Sequence, residues 1–501
     1  MSSAQVAIFL VAVLTLGYIR LRRGISYSGD VPRVGKPGVW GYIQTAIKYT
    51  LDAESLIIEG RAQFDNKPFV LPTLSGPIFF LGPEYLERLR SGPDSVFSEI
   101  IAVNEDLQLR YTMDANQLDN PVQAHVMRTD VNRAIPAMVP EIFEESVLAM
   151  DEAFRIPNGQ DSISVPIFDT MTHLIARISN RVIFGEEMCR DEGFLHAIVR
   201  FAETTPMMAP FIQWSPVVLR PVVYFVLSSL FGGKKGALKY VIPHLERYMK
   251  ERQSMPEKPK LVSEFLIQGV PQHEKVQDIA VRLLNLNFGS IHTSSIFITQ
   301  TLFEFVLLPP SDIESMRQEI SEALESEGGW TKEALDKFDK VDSALREIGR
   351  YYGLMHFALP RCAVVGCDLG DGTHIPPGYR VAIDMRRIHF NPDTYPDPNR
   401  CDVFRFSKLR SQKGSGAKYA FATVDSNYLP FGAGRHACAG RQFASMELKL
   451  MLAHILLKYD VSLPPGVTER PKNVIFNGAI IPDTKANLLF RPRSGHGGKV
   501  G

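Results

Sequence analysis

The residues best placed to do chemistry lie in one short run: Phe431-Gly432-Ala433-Gly434-Arg435-His436-Ala437-Cys438-Ala439-Gly440-Arg441. Its glycines let the backbone turn tightly and approach a flat ligand closely. Cys438 sits between two alanines, with Arg435, His436 and Arg441 nearby. Cations so placed lower a thiol pKa. Residues 442–457 read as an amphipathic helix, which puts Cys438 near a helix N-terminus, where peptide N–H groups stabilise a thiolate. A thiolate in a shallow, glycine-lined loop is a ligand for a soft metal, and haem iron accepts it. An isolated cysteine is more often a buried structural thiol; the glycines and cations around Cys438 weigh against that here.

Two further segments carry candidate chemistry. A continuous helical pattern over 274–308 stops at Pro309-Pro310, and its middle reads Asn287-Phe288-Gly289-Ser290-Ile291-His292-Thr293-Ser294-Ser295. A glycine followed by a polar cluster is a poor choice for helix stability, and a buried polar patch needs partners or a task. One reading has Ser and Thr hydrogen-bonding back to the preceding turn, with His292 a satisfied core histidine; the other makes the cluster part of a site. Glu347-Ile348-Gly349-Arg350 places opposite charges on one helix face. Such a pair contributes little at a surface and much more if buried and bidentate. Cys362 and Cys367, with His356 and His374, stand at the edge of structural zinc spacing without a second cysteine pair, so they read as core thiols.

The elements that must position these residues are mostly helical. Periodic helical patterns run from 83 to 352, a β-hairpin is expected over 68–82, and strands over 362–385 broken by Gly370-Asp371-Gly372 and Pro376-Pro377-Gly378. No linker divides the body, so it reads as one large α+β domain, mostly α. Lys plus Arg equals Asp plus Glu at 55 each, which gives no basic surplus for nucleic acid. Five scattered cysteines are not a disulfide framework. Residues 6–19 are apolar and are followed by Arg20, Arg22 and Arg23. That is short for a span of roughly 20 residues, yet the trailing cations favour a signal anchor with the body on the cytoplasmic side. The division expected is an anchor at 1–23, a Pro/Gly hinge at 24–38, the catalytic domain at 39–491 and a flexible tail at 492–501. The apolar segment 206–231 carries Pro206, Pro210, Pro216, Pro221 and Arg220, which argue against a second span.

The cysteine loop is similar to the Phe-x-x-Gly-x-Arg-x-Cys-x-Gly signature of the cytochrome P-450 family, with His436 where that family usually has arginine. Glu347 and Arg350 resemble its Glu-x-x-Arg pair, and Arg405 stands where a completing arginine is expected. Gly289 to Ser294 resembles its oxygen-binding stretch, with His292 in place of the usual acid. The resemblance spans nearly the whole chain. It implies a microsomal-type, fungal-like haem-thiolate monooxygenase with a long central helix, a small β-rich lobe and haem b as cofactor. Cys438 would be the metal ligand. Arg361, His436, Arg435, Phe431, Gly432, Gly440, Gly289 and Arg128 would bind the cofactor, Arg361 and His436 through its propionates. Thr293 and His292 would be catalytic. The family's Trp-x-x-x-Arg helix has no Trp here; within 121–133, His125 and Arg128 are the nearest candidates. Implied partners are an NADPH–cytochrome reductase, with cytochrome b5 as an optional second donor, and a lipophilic substrate such as a terpenoid or steroid-like secondary metabolite. The enzyme would act as a monomer at the endoplasmic reticulum membrane, with no nucleic acid.

Two rival functions share these residues. A lyase or isomerase of the same fold would turn over without NADPH or oxygen. A non-catalytic haem-binding sensor would take up haem but show no reductase-driven turnover. Retention of Gly289 and Thr293 favours the monooxygenase.

Overall fold

A computed structural model describes residues 30–115, 120–412 and 417–493. The expected anchor lies outside the described residues, as does the tail beyond Arg493. Of the expected hinge, residues 30–37 lie inside and are not a free tether. The Val34 N–H donates to Val70 O at 3.0 Å and the Val70 N–H to Pro32 O at 2.8 Å, burying Val31 and Val34. Next come two helices unanticipated from sequence, α1 (Gly38–Leu51) and α2 (Ala53–Gln63); Asp52 caps the second by accepting the Ser55 N–H.

The expected hairpin forms from β1 (Phe69–Leu71) and β2 (Ile78–Leu81), with Leu71 opposite Ile78 and Gly76 supplying the left-handed turn at φ +107°. β3 (Phe97–Ser98), β4 (Phe357–Ala363) and β5 (Arg380–Asp384) complete a five-stranded sheet in the order β1-β2-β5-β4-β3. β2 and β5 run parallel and the other neighbours antiparallel. Ser98 both ends β3 and caps α3 (Glu99–Leu107), so this helix leaves directly from the sheet edge.

The helical lobe holds α4 (Asn132–Ala153), α5 (Ile167–Ile183), α6 (Glu192–Trp214), α7 (Arg220–Phe231), α8 (Lys234–Glu251), α9 (Val276–Phe305), α10 (Asp339–Tyr351), α11 (Arg405–Arg410) and α12 (Arg441–Lys458). α9 is the long helix expected at 274–308; its 30 residues reach about 45 Å. α4, α5, α9, α10 and α12 share the main hydrophobic core, α12 being buried along nearly its whole length. α12 follows the cysteine loop and α9 carries the polar cluster, so packing of this core brings the two candidate segments to face one another.

α6 retains Pro206 and Pro210 inside the helix. The following turn and α7 expose Val217, Val218, Phe225 and Leu230, each more than 60% accessible (69%, 82%, 62% and 69%). Among the described residues no single helix is long and apolar enough to cross a membrane.

Candidate active site

One face of α10 holds the segment that leads to the cysteine loop. Arg350 and Glu347 form a fully buried two-pronged pair, Nε to Oε2 and Nη2 to Oε1, both 2.7 Å. Arg405 Nε joins at 3.2 Å from each Glu347 oxygen. The remaining donors of the two arginines go to backbone: Arg350 to His389 O (2.8 Å) and Pro398 O (2.9 Å), Arg405 to Arg400 O (2.9 Å). The Asp402 N–H donates to Glu347 Oε1 at 2.9 Å. The buried, bidentate reading of Glu347-x-x-Arg350 with Arg405 is therefore the one the structure shows.

Residues that sequence reasoning passed over share this face. Arg346 donates to Ala420 O (2.6 Å), Thr423 O (2.8 Å) and Asp425 Oδ2 (2.9 Å), with its guanidinium 3.9 Å from the Tyr428 ring centroid. Ser343 accepts the Phe406 and Ser407 N–H groups and so caps the start of α11. A polar stripe at 339, 342, 343, 346, 347 and 350, at helical spacing, was the available signal. His389 is a third omission. Its Nδ1 lies 3.0 Å from Arg350 O and its Nε2 accepts the Leu429 N–H at 3.0 Å, so the neutral ring with the proton on Nδ1 satisfies both partners. His389 thus ties the α10 anchor to Leu429, two residues before Phe431.

The loop itself closes when the Cys438 N–H donates to Phe431 O at 2.8 Å. Gly432 and Gly434 adopt φ +71° and +67°. A side chain at Gly434 would meet the Arg90 backbone oxygen at 3.0 Å, so close approach as well as turning requires glycine there. Cys438 is the only exposed cysteine among the five, and what it is exposed to is an internal cavity of about 430 Å³. The cavity walls include Gly289, Thr293 and Ser294 from α9, Phe431, Gly432 and His436 from the loop, and Arg361 from β4; the rest is largely apolar, with Val103, Phe297, Met355, Phe357 and Phe421. Phe431 stacks on Phe297 with parallel rings 6.2 Å apart.

Burial pushes the Cys438 pKa above its ordinary value; the Gly440 N–H, Arg441 and Arg128 oppose burial without overcoming it. Of the cations expected to depress it, Arg435 points elsewhere, to Gly92 O and, at 3.0 Å, to Asp94 Oδ1. Thiol ligands generally lose their proton on binding a metal.

Arg128 does reach the loop. A π turn at Met127–Val131 precedes α4, and Arg128 Nη2 donates to Ala437 O at 3.2 Å. π turns inside helices are frequent at functional sites. His125, the alternative, makes no comparable contact: only its backbone carbonyl is engaged, by Thr129 Oγ1 at 3.0 Å. Arg361 is buried and lines the cavity, donating to Pro360 O at 2.9 Å and lying 3.7 Å from Glu99 Oε1. His436 is held between two carboxylates unforeseen from sequence, Asp94 Oδ1 at Nε2 and Glu99 Oε2 at Nδ1, each at 2.8 Å. Burial raises the Glu99 carboxyl against the pull of Arg361 and His436. At Asp94 burial acts in the same sense, but His436 and Arg435 outweigh it and hold the carboxyl low.

On α9, Thr293 Oγ1 donates to Gly289 O at 2.8 Å, Ser290 and Ser295 back-bond in the same way, and a side chain at Gly289 would meet nothing within 4 Å. Gly289 therefore keeps space open on the cavity wall beside the Thr293 hydroxyl. His292 is not among the wall residues, and its Nε2 has no hydrogen-bond partner. Burial alone pushes its pKa down to about 4.

The described residues fit a haem. The sulfur faces the cavity with peptide N–H groups behind it, apolar rings and alanines offer flat faces, and Arg128, Arg361 and His436 offer polar side chains near the edge. A model of the cytochrome P450 family matches residues 122–490, which include Arg128, Gly289, Thr293, Arg361, His436 and Cys438 but not Asp94, Glu99 or Val103. The chain belongs to the cytochrome P450 family. It is 32% identical to cytochrome P450 monooxygenase 103 of Postia placenta, over 98% of this chain and 99% of that one. It is similar at 29% identity to cytochrome P450 monooxygenase paxQ of Penicillium paxilli, over 97% and 96% of the two chains. The crystal structure of the cytochrome P450DA mutant heme domain matches with a TM-score of 0.71 at 18% identity, covering 93% of this chain and 98% of that one. The retinoic acid-bound cyanobacterial CYP120A1 matches at 0.67 and 18%, covering 89% and 96%. This P450 is a haem-thiolate enzyme of the monooxygenase class with the fold expected from its sequence.

Acid should destabilise this P450 through its buried histidines. Burial pushes the histidines His292, His356 and His454 down to about 4 and His389 to about 3, against an ordinary value of 6.5. The unfolded chain takes up protons that the folded chain refuses, so stability falls as pH drops below about 6.5, by up to ~2 kcal/mol per histidine at pH 5. Glu319 and Glu447, pushed up to about 7 by burial, act oppositely between 7 and 4.5, and Glu99, Asp106, Glu203 and Asp384 are raised in the same sense, while His244 is lowered with the other histidines; the five histidines are expected to prevail. The urea midpoint is expected to be clearly lower at pH 5.3 than at pH 7 (roughly one unit below the histidine range). An unchanged or higher midpoint would contradict it.

Proposed function

We propose that this P450 hydroxylates or otherwise oxidises a lipophilic small molecule, a terpenoid or steroid-like secondary metabolite, with electrons from an NADPH-dependent reductase. The observation that carries it is the meeting of the Cys438 sulfur, the Thr293 hydroxyl and largely apolar walls in one cavity. Haem bound there, with Cys438 as its ligand, supplies the activation of dioxygen. The chain's own residues supply the rest. The cysteine loop holds the sulfur; Arg361, His436 and Arg128 offer hydrogen-bond donors to the propionates; Phe431 and Gly432 shape the cofactor bed. Gly440 presents its N–H to the sulfur. Apolar walls exclude water and orient a lipophilic substrate.

We assign proton handling to Thr293 Oγ1, whose hydroxyl borders the cavity and is parked on the Gly289 carbonyl. His292, neutral near pH 7 and off the cavity wall, is left a supporting role behind it. Arg435 serves to hold Asp94 and through it His436. The reduced carbon monoxide spectrum of the purified protein tests the ligation: a strongly red-shifted Soret band is expected, and its absence from haem-loaded protein would overturn the reading. A spin-shift screen against lipophilic compounds would then narrow the substrate.

Thr293→Ala is expected to retain the haem and its spectrum, yet to divert most NADPH consumption into peroxide, with product per NADPH falling about tenfold, less than the ~10²–10⁴-fold typical of a lost acid–base group. Tight coupling in the variant would remove Thr293 from proton handling.

The proposed location is the endoplasmic reticulum membrane, with residues 1–23 as anchor and the catalytic domain, 39–491, on the cytosolic side. The exposed apolar residues of α7 and the turn before it support contact with lipid.

A further inference from the structure

Glu99 was not singled out from sequence and takes no part in the chemistry derived so far. It is the first residue of α3, fixed there by the Ser98 cap, and its carboxylate lines the same cavity as Cys438. One oxygen lies 2.8 Å from His436 Nδ1, the other 3.7 Å from Arg361 Nη1. These are two of the groups assigned to the haem propionates. We infer that Glu99 is a resident counter-ion at the propionate site, one that weakens the hold on the haem's carboxylates and draws the iron's reduction potential down. The inference rests on the reading of this cavity as the haem site.

The geometry decides the direction. Glu99 faces both Arg361 and the His436 ring, so a cofactor carboxylate arriving there meets a negative charge already in place. Without Glu99 that repulsion is gone. Arg361 feels the change most, because it is buried and Glu99 is the one carboxylate paired with it among the described residues. A buried cation stripped of its partner is costly, and a propionate arriving there removes that cost on binding. The same negative charge, in a low-dielectric wall, favours the more oxidised iron. Asp94 differs: its side chain is 53% exposed and solvent screens it.

The test compares the full-length wild type with Glu99→Gln, Glu99→Asp and Asp94→Asn, each loaded with haem. Haem release to excess apomyoglobin and the midpoint potential by spectroelectrochemistry are measured. Glu99→Gln is expected to release haem about tenfold more slowly, roughly what one buried charge interaction amounts to, and to show a more positive potential. Glu99→Asp, which keeps the charge, should have a potential close to wild type, and Asp94→Asn should shift less than Glu99→Gln. Release as fast as or faster than wild type, no positive shift, a shift of the same size in Glu99→Asp, or failure of Glu99→Gln to load haem at all would each overturn the inference. Wild type unable to bind haem would instead sink the reading of the cavity.

Discussion

Cys438→Ser is expected to fold, to keep a stability close to wild type and to lose monooxygenase activity entirely. The sulfur faces the cavity rather than the core, so shortening it to an oxygen leaves the packing of Ala437 and Ala439 untouched. The loop is closed by the Cys438 backbone N–H on Phe431 O, which serine retains. What serine lacks is a soft, polarisable anion for iron. The variant should therefore either remain colourless or bind haem without the red-shifted reduced carbon monoxide band. A normal band, or turnover near the wild-type rate, would end the assignment of Cys438 as ligand.

Glu347→Gln is expected to have the largest effect on folding of any single change considered. Glu347 is wholly buried between Arg350 and Arg405 and also accepts the Asp402 N–H. The amide retains one acceptor oxygen but loses the charge, leaving two buried guanidiniums without an anion. Breaking a buried pair in this way costs about 3–5 kcal/mol, a large share of a typical stability of about 5–15 kcal/mol. Loss should spread along the carbonyls that the two arginines hold, at His389, Pro398 and Arg400, and through His389 to Leu429 at the root of the cysteine loop. The expected result is little or no haem-loaded protein, and a urea midpoint lowered in step with the loss. Recovery of Glu347→Gln with wild-type haem content and midpoint would show the pair to be dispensable.

Much of this was legible in the sequence because it depends on local spacing. The glycine pattern of 432, 434 and 440, the helix of 30 residues ending before Pro309, the hairpin at Ser75-Gly76-Pro77 and the Glu347-x-x-Arg350 face are all statements about neighbours in the chain. What escaped depends on contacts between distant segments. Glu99 and Asp94 reach His436 across more than three hundred residues, and nothing near either acid marks it as a partner. α1 and α2 went unread from sequence; both are held by packing on β1 and β2, and only α2 separates its polar and apolar residues weakly. The thiol of Cys438 shows a third kind of failure. Its basic neighbours suggested a lowered pKa, but the sign is set by burial, and the sequence does not say that Arg435 turns away toward Asp94.

The π turn at Met127–Val131 bears on how Arg128 is aimed at the cysteine loop. A wide turn lodges one more residue than the regular helix would, and each added residue rotates the two flanking stretches of helix by about 100° relative to one another. An arginine can thus be delivered to Ala437 from a position that uninterrupted winding would aim at another neighbour. Here the length of the backbone, not the identity of an aromatic anchor, does the aiming, and pattern searches that count residues along a uniform spiral will pass such a group by.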